Sequence, residues 1–382
     1  MGVPRPVEEG IIIRPDDVTP SSPDMDVIGV CNPGAVLHVD EHGNEKIILL
    51  LRVIERTNSE FKRHIASPQA INKPGEKFNV RWEWDRAGKD ARIDGPGSLI
   101  TIELEERIRP TFISHLRLAT SIDGINFKVS EKPSFYPEYS YENYGIEDAR
   151  ITKLSHALDV EGTHYKYLIS YVAVSNHHDV CTAFTVTNDF KKFVRLPAKN
   201  PDIAFFAPSK DVVVFPKKFT NPRTGRNEFV ALTRPTGSAG YMVPSIFLSY
   251  STDLVHWGDH KLLIKGDEKG HVGGGPAPIE CSDGWLILDH QHRYLKSGSK
   301  EYVGRAFIVD KENPLKILKK SDEFLEPHLR FHTKAIVNNV TFPSGAFIKD
   351  DKLFVYTGEN DVAIGVHIYD LDEFMKFLEP VE

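Results

Sequence analysis

The chain has few cysteines and no long apolar run. Its 382 residues include three cysteines, Cys31, Cys181 and Cys281, which are odd in number and far apart. This spacing argues against a disulfide framework and against the paired CxxC spacing of a zinc site. No window reaches the roughly 18 apolar residues of a membrane helix, and the polar start of the chain lacks a signal-peptide core. We therefore expect a soluble cytoplasmic protein with no membrane partner.

The chain also lacks a basic run. It carries 47 Lys and Arg against 54 Asp and Glu, a formal net charge of -7. Because nucleic-acid binding needs clustered excess Lys and Arg, we expect no nucleic-acid partner. The apolar fraction of 40% is ordinary for a folded protein and excludes wholesale disorder. Length alone leaves one large domain and two smaller ones equally open.

Helical periodicity is scarce. The one convincing stretch runs from Leu371 to Leu378 and opens near Asp370. Elsewhere, short runs rich in Ile, Val, Phe and Tyr alternate with clusters of Gly, Asn, Asp and Pro. This pattern predicts a mostly β protein.

A repeat underlies these strands. Units begin at residues 147, 210, 273 and 340, with spacings of 63, 63 and 67. Each has a polar turn, a strand pair, a further strand and an Asp-bearing turn. An earlier copy begins at Cys31 and is stretched by a polar insertion at about 55–110. Five such units predict an all-β, five-bladed β-propeller with a short C-terminal helix. It would form one domain over residues 1–382, with an N-terminal extension at about 1–28; a two-sheet sandwich is the alternative.

Polar residues at equivalent places in the units are candidates for one shared site. In a propeller, loops from all blades converge on one mouth of the central channel. The candidates are Asn32, Arg52, Glu147, Asp148, Arg150, Lys210, Asp211, Arg234, Asp289, His290 and Asp361. This mixture suits a polyhydroxylated substrate together with an anion. A desolvated carboxylic acid there could protonate a leaving oxygen. We expect no metal, since the histidines have no acidic partners at recognisable ligand spacing.

Several stretches in order carry a family resemblance. They are Asn32–Ala35 with Leu49–Val53, Gly145–Thr152, Ser209–Pro216, Gly273–Pro278, and Phe342–Ala346 with Asp361. Over about residues 30–365 the sequence resembles glycoside hydrolase family 130, the inverting β-mannoside phosphorylases and β-1,2-mannosidases, which are five-bladed propellers. The sequence departs from the family pattern at Ala149, where proline is usual.

The resemblance implies a role for each matched residue. Asp148 would be the catalytic acid, protonating the glycosidic oxygen through the 3-hydroxyl of the mannose. The sugar-binding residues would be Asn32, Arg52, Glu147, Arg150, Asp211 and Asp361, and the phosphate-binding residues Arg195, Lys210 and His290. The expected reaction is inverting phosphorolysis of a β-mannosidic bond, in a β-1,2-linked manno-oligosaccharide, to give mannose 1-phosphate. Inorganic phosphate is the co-substrate, no other cofactor is expected, and the chain is a candidate for homo-oligomer formation.

Two alternatives follow from the same residues. With water as the nucleophile, a carboxylate must activate it, and the protein would be an inverting β-1,2-mannosidase. Glu280 and Asp289 are candidates for that carboxylate, because phosphorylases of the family tend to carry a basic residue and tyrosine at these positions. The second alternative is a propeller that binds glycans without cleaving them.

Overall fold

The computed structural model describes most of the chain. The described residues are 2–94, 99–102, 107–205, 209–236, 241, 243–267, 270–294, 300–327 and 336–381.

Strands dominate the described residues. The first part of the chain forms β1 (Glu8–Ile13), β2 (Met25–Val39), β3 (Glu45–Thr57), β4 (His64–Ala70), β5 (Val80–Arg86), β6 (Ala91–Asp94), β7 (Leu99–Ile102), β8 (Arg107–Pro110), β9 (Ile113–Ser121) and β10 (Lys128–Val129). The middle part forms β11 (Gly145–Val160), β12 (Thr163–Ser175), β13 (Asp179–Thr187), β14 (Val194–Arg195), β15 (Ser209–Val214), β16 (Phe219–Thr220), β17 (Asn227–Pro235), β18 (Ile246–Ser251) and β19 (Gly258–Ile264). The last part forms β20 (Val272–Gly274), β21 (Ile279–Cys281), β22 (Gly284–Tyr294), β23 (Lys300–Val309), β24 (Ile317–Lys320), β25 (Thr341–Lys349), β26 (Lys352–Glu359), β27 (Ala363–Asp370), the helix α1 (Leu371–Phe377) and β28 (Glu379–Pro380). Short 3₁₀ turns lie at Pro15–Asp17 and Ser140–Glu142.

Five of the sheets are the blades of a propeller. Blade 1 has the strand order β10-β9-β3-β2, blade 2 β11-β12-β13-β14, and blade 3 β15-β17-β18-β19 with β16 on β17. Blade 4 has the order β20-β22-β23-β24-β28 with β21 on β22, and blade 5 the order β1-β27-β26-β25. Neighbouring blades contact one another around the ring, through β2 with β11, β11 with β15, β15 with β20, β22 with β25, and β25 with β2. The predicted five-bladed propeller is confirmed.

The start of the chain differs from the prediction. Residues 1–28 were expected to extend from the propeller, but Glu8–Ile13 pairs antiparallel with β27 as the outer strand of blade 5. Blade 5 therefore joins both ends of the folded ring. The physical reason is that β27 would otherwise present an unpaired edge, and the N-terminal strand satisfies those backbone groups.

The core lies between neighbouring blades. Along β3, Leu49 and Leu51 face blade 5, whereas Ile48 and Leu50 face blade 2. Successive side chains on a strand point to opposite faces, so a strand buried on both faces must be apolar throughout. Trp285 packs between blades 3 and 4, and its ring lies edge-on to the ring of Phe215. Each blade is thus stable only against its neighbours.

The insertion in blade 1 forms two extra sheets. The hairpin β4–β5 and the three-stranded sheet β6–β7–β8 both lie between β3 and β9, the second and third strands of the blade. Connections between second and third strands emerge on one face of a propeller, and Asp361 lies in the corresponding connection of blade 5. The insertion therefore lies on the same face as Asp361. It is held there by bonds such as Asn72 Nδ2 to the carbonyl of Pro137, at 2.6 Å.

The predicted C-terminal helix is present. Helix α1 begins after Asp370, whose carboxylate accepts a hydrogen bond from the backbone N–H of Glu373 at 2.9 Å. This is an N-cap, which satisfies one of the free N–H groups of the first turn. Phe374 and Phe377 on one helix face are buried. Within the described residues no helix is both long and apolar enough to cross a membrane.

Candidate active site

The inner strands of three blades carry the same irregularity. In β2, β11 and β15 the pairing register shifts by one residue. At these bulges Asn32, Asp148 and Asp211 have positive φ angles of 45°, 50° and 53°. Asn and Asp tolerate this left-handed conformation better than other side-chain-bearing residues. A bulge also re-aims a side chain, so each of these blades places one Asn or Asp at an equivalent position.

These side chains meet in one cavity of about 170 Å³. Its lining within the described residues is Asn32, Arg52, Asp148, Lys210, Asp211, Arg234, His271, His290, Tyr302, Val337, Val340, Phe342 and Asp361. Strands from all five blades or their connections contribute. The structure thus brings together most of the residues that the sequence singled out, although Asn32 and Asp361 are 329 positions apart.

One group of contacts, the Arg52 cluster, comprises Asn32, Arg52, Glu147 and Asp148. The Arg52 guanidinium donates to Glu147 Oε1 at 2.6 Å and to Asp148 Oδ1 at 3.1 Å. Asn32 Nδ2 donates to the same Asp148 oxygen at 3.0 Å. Burial by itself raises the pKa of Asp148, but Arg52, Arg150 and Lys210 and the bond from Asn32 outweigh it and hold the pKa below its ordinary value. The Asp148 carboxylate is therefore stabilised as an anion.

Asp361 is a carboxyl group in a different state. It lies in the turn between β26 and β27, and no ion pair or hydrogen bond joins its side chain to a described residue. Burial has the largest effect on the pKa of Asp361 and raises it. The negative charges of Asp148 and Glu147 also raise this pKa, whereas the cations Arg52 and Lys210 lower it. The cavity therefore holds two aspartates whose pKa values are shifted in opposite directions.

A second group of contacts, the Asp211 cluster, comprises Arg150, Asp211, Arg234 and His290. Asp211 Oδ2 lies 2.8 Å from Arg234 Nε and 3.5 Å from His290 Nε2. Its other oxygen lies 3.6 Å from a terminal nitrogen of Arg150. Burial and the positive charge of Arg234 lower the pKa of His290 well below its ordinary value. His290 is thus a neutral imidazole, which binds an anion through an N–H group rather than through charge.

Several buried nitrogens in the Asp211 cluster make no hydrogen bond to a described residue. They are Arg150 Nε and one terminal nitrogen, Arg234 Nε, and His290 Nδ1. Arg234 Nε and the Arg150 terminal nitrogen meet the Asp211 carboxylate only as ion pairs, at 2.8 and 3.6 Å. A buried polar group left without a partner costs about 1–3 kcal/mol, so native structures pair such groups with protein, water or ligand. Arginine forks and N–H groups of this kind suit a phosphate ion.

The comparisons with known proteins agree with this geometry. A family model described as beta-1,4-mannooligosaccharide phosphorylase, that of glycoside hydrolase family 130, matches residues 106–380. The chain belongs to glycoside hydrolase family 130. The resemblance seen in the sequence motifs is confirmed.

Two curated relatives of this family 130 protein cover most of its length. A beta-1,2-mannobiose phosphorylase of Listeria innocua is 31% identical over 382 residues, 97% of each chain. A 1,2-beta-oligomannan phosphorylase of a Thermoanaerobacter species is 30% identical over 308 residues, 77% of this chain and 94% of the relative. The solved structure of the Listeria innocua enzyme with beta-1,2-mannobiose has a TM-score of 0.79 at 29% identity and covers 96% of both chains.

Arg195 lies elsewhere in the family 130 fold. It stands on β14, the outer strand of blade 2, where its guanidinium donates to both oxygens of Glu142, at 2.8 and 3.1 Å. It also donates to Glu138 and to the carbonyl of Tyr136, and packs 4.2 Å above the Phe135 ring. These contacts occupy the guanidinium and anchor the connection that leads into β11. The expected phosphate contact from Arg195 is therefore corrected: this side chain does not line the cavity.

The two carboxylates proposed for water activation also lie outside the cavity. Asp289 precedes His290 on β22, so its side chain points to the opposite face, where it pairs with Arg305. Glu280 is exposed on β21. Neither residue lies where it could activate a water molecule in this cavity.

Sequence reasoning missed five residues of the cavity lining: His271, Tyr302, Val337, Val340 and Phe342. His271 stacks on His292 with ring centroids 4.7 Å apart, and Tyr302 meets both imidazoles. Burial and the charge of Arg234 lower the pKa of His271 to about 3. Two signals were usable: His271 stands two residues before Gly273, and Phe342 begins a stretch that carries the family resemblance. Nothing near Tyr302 or Val337 marked them as cavity residues. Within the described ranges no three His, Cys, Asp or Glu side chains are grouped to hold a metal.

Proposed function

We propose that this family 130 protein is an inverting β-mannoside phosphorylase. It would cleave a β-1,2-linked manno-oligosaccharide with inorganic phosphate and release mannose 1-phosphate. The observation that carries the proposal is the Asp211 cluster, which has buried nitrogens that make no hydrogen bond to a described residue and which shares one cavity with the Arg52 cluster. The names of the two relatives support the same reaction and linkage.

The two clusters divide the work of an inverting reaction. Asn32, Arg52 and Asp361 would hold the mannose, and Asp148 would deliver a proton to the leaving oxygen. Arg150, Lys210 and Arg234, with an N–H of His290, would hold phosphate on the other side of the sugar. A positioned phosphate anion is already nucleophilic, so this reaction needs no general base. Protonation on one side and attack from the other invert the anomeric centre.

Hydrolysis is the second candidate, and one observation favours it. The Asp211 carboxylate lies among the cations that phosphate would use, at 2.8 Å from Arg234 Nε. A water molecule bound to Asp211 would be a nucleophile on that side. Phosphate competes with Asp211 for the same donors, so the two reactions differ in whether added phosphate is required.

Incubation with β-1,2-mannobiose, with and without inorganic phosphate, tests the proposal. We expect mannose 1-phosphate of α configuration to form only with phosphate, and β-1,4-mannobiose to react more slowly. Release of free mannose at an unchanged rate without phosphate would establish hydrolysis instead. Asp148→Asn is the control that tests whether this cavity catalyses the reaction. The substitution should abolish both phosphorolysis and hydrolysis, whereas a glycan-binding propeller would have no reaction to lose.

Two further expectations stay predictions. The first is a cytoplasmic location, which cell fractionation would test. The second is self-association, for which light scattering on the purified chain gives the mass directly.

A further inference from the structure

Among the described residues, the sugar end of the cavity holds more carboxyl groups than cations. Glu147, Asp148 and Asp361 surround Arg52 and Lys210. Arg52 pairs with both Glu147 and Asp148, and Lys210 Nζ lies 3.8 Å from Glu147 Oε2. Asp361 has no such partner among the described residues. In the Asp211 cluster the balance is reversed, since Arg150 and Arg234 face the single carboxylate of Asp211.

The backbone holds Asp361 in this position. Asn360 and Asp361 have φ angles of 54° and 56°, and the N–H of Val362 donates to the carbonyl of Glu359 at 2.9 Å. These are the features of a tight type I′ hairpin turn. On the inner side, a β-carbon at Gly29 would lie 2.4 Å from the carbonyl oxygen of Asp361, so the turn is packed directly against β2. The Asp361 backbone therefore cannot move inward to bring its carboxyl group to a cation.

Asp148 and Asp361 differ in the hydrogen bonds that their carboxyl groups accept. Asp148 accepts bonds from Asn32 and Arg52, which stabilise its anion. Asp361 accepts none from a described residue. When carboxyl groups crowd one site with too few cations, one of them holds a proton, and the group with the fewest donors is the one that keeps it.

We propose that Asp148 and Asp361 share one proton and that in the resting enzyme this proton lies on Asp361. The proposal rests on the proposed function, because it supplies the proton that cleavage of a glycosidic bond needs. The opposite pKa shifts of the two groups agree with it. It also explains how Asp148, an anion at rest, can serve as an acid.

The proton balance closes without an outside reagent. When substrate binds, the O–H bond of Asp361 would break as Asp148 gains a proton. Asp148 would then give a proton to the 3-hydroxyl of the mannose, and this hydroxyl would pass its own proton to the glycosidic oxygen. The bond from C1 to that oxygen breaks in the same step, and a bond from C1 to a phosphate oxygen forms. Hydrogen phosphate carries one proton of its own. This proton returns to the pair when mannose 1-phosphate is formed.

Carbon-13 NMR of protein labelled at the aspartate carboxyl carbon tests where the proton lies. The Asp361 resonance is assigned as the one missing in Asp361→Asn. We expect it at the position of a neutral acid at neutral pH, and we expect Asp148→Asn to move its titration to lower pH by removing the like charge. An ionised Asp361 at neutral pH in the unsubstituted protein would overturn the proposal.

Kinetics test whether this proton is used. Asn resembles a neutral carboxyl group but cannot release a proton, so Asp361→Asn should lower kcat on β-1,2-mannobiose by about 10²–10⁴-fold with little change in KM. A dinitrophenyl β-mannoside, whose leaving group needs no proton, should recover most of the rate. A raised KM with kcat unchanged would instead identify Asp361 as a sugar ligand alone and refute the proton role.

The proposal can fail separately from the proposed function. If the unsubstituted protein releases mannose without phosphate, phosphorolysis is refuted, but hydrolysis requires the same proton. Both the NMR titration and the comparison of leaving groups then still decide the role of Asp361. Circular dichroism and thermal unfolding of each variant establish that the fold is intact.

Discussion

Gly273 offers a sharp test of the phosphate side of the cavity. It stands on β20 where the Asp211 cluster meets blade 4. A β-carbon at this position would lie 2.3 Å from Asp211 Oδ2 and 2.5 Å from His290 Cε1. Gly273→Ala therefore forces both side chains away. The neighbouring Gly274→Ala is the matched control, because its nearest contact would be the carbonyl oxygen of Asp211 at 3.2 Å, which needs only a small adjustment.

The size of the effect follows from this geometry. To reach ordinary contact with the new methyl group, the Asp211 oxygen must move by about 1 Å. His290 Cε1 lies 2.5 Å from the same added methyl group and must move by a similar distance. Misplacing the groups that hold a reactant by about 1 Å can cost as much as about 10²-fold in rate. We expect kcat/KM for phosphate to fall by about 10- to 100-fold in Gly273→Ala.

The assay is initial-rate formation of mannose 1-phosphate at saturating β-1,2-mannobiose and varied phosphate. In Gly274→Ala the same parameter should change by less than about threefold. If Gly273→Ala folds normally and binds and uses phosphate as the unsubstituted protein does, the Asp211 cluster is not where phosphate reacts. Equal losses in both variants would show that the strand, rather than the cluster, had been disturbed.

Three other substitutions have expected outcomes. Arg52→Met leaves Glu147 and Asp148 buried without their main cation. It should therefore lower the free energy of unfolding by about 3–5 kcal/mol, measured by urea titration at pH 7. A loss under about 1 kcal/mol would contradict the described ion pairs. His271, with its pKa lowered to about 3, binds a proton more readily in the unfolded chain, so its contribution to stability is complete above pH 6.5 and is lost as the pH falls towards 3. When the pH falls from 6.5 to 5, the free energy of unfolding of the unsubstituted protein should therefore fall by about 2 kcal/mol more than that of His271→Gln. Identical urea midpoints for the two proteins at both pH values would refute this. Asp370→Ala removes the N-cap of α1 and should cost about 1 kcal/mol in thermal unfolding while kcat stays the same, since no residue of α1 lines the cavity.

The limits of sequence reasoning appear at particular residues. The turn and strand pattern located the blades, and the position of Asp370 located the helix, because local chemistry dictates both. Arg195 was misassigned because its partners Glu142 and Glu138 lie more than 50 positions earlier and meet it only in the folded blade. Asp289 was misassigned because adjacent residues on a strand face opposite ways, and one residue of register decides which of the pair faces the cavity.

By itself, the sequence determined the blade repeat, the apolar strands buried between blades, and the Asn and Asp residues that tolerate left-handed backbone. These are consequences of local propensity and of side-chain alternation along a strand. Only the tertiary structure decided that Glu8–Ile13 closes blade 5 and that Arg234 and His290 share Asp211. It also decided that Asp361, beside Asp148, makes no ion pair with a described residue. Charge and hydrogen-bond partners across blades are set by the closing of the ring, which brings together residues that no local pattern connects.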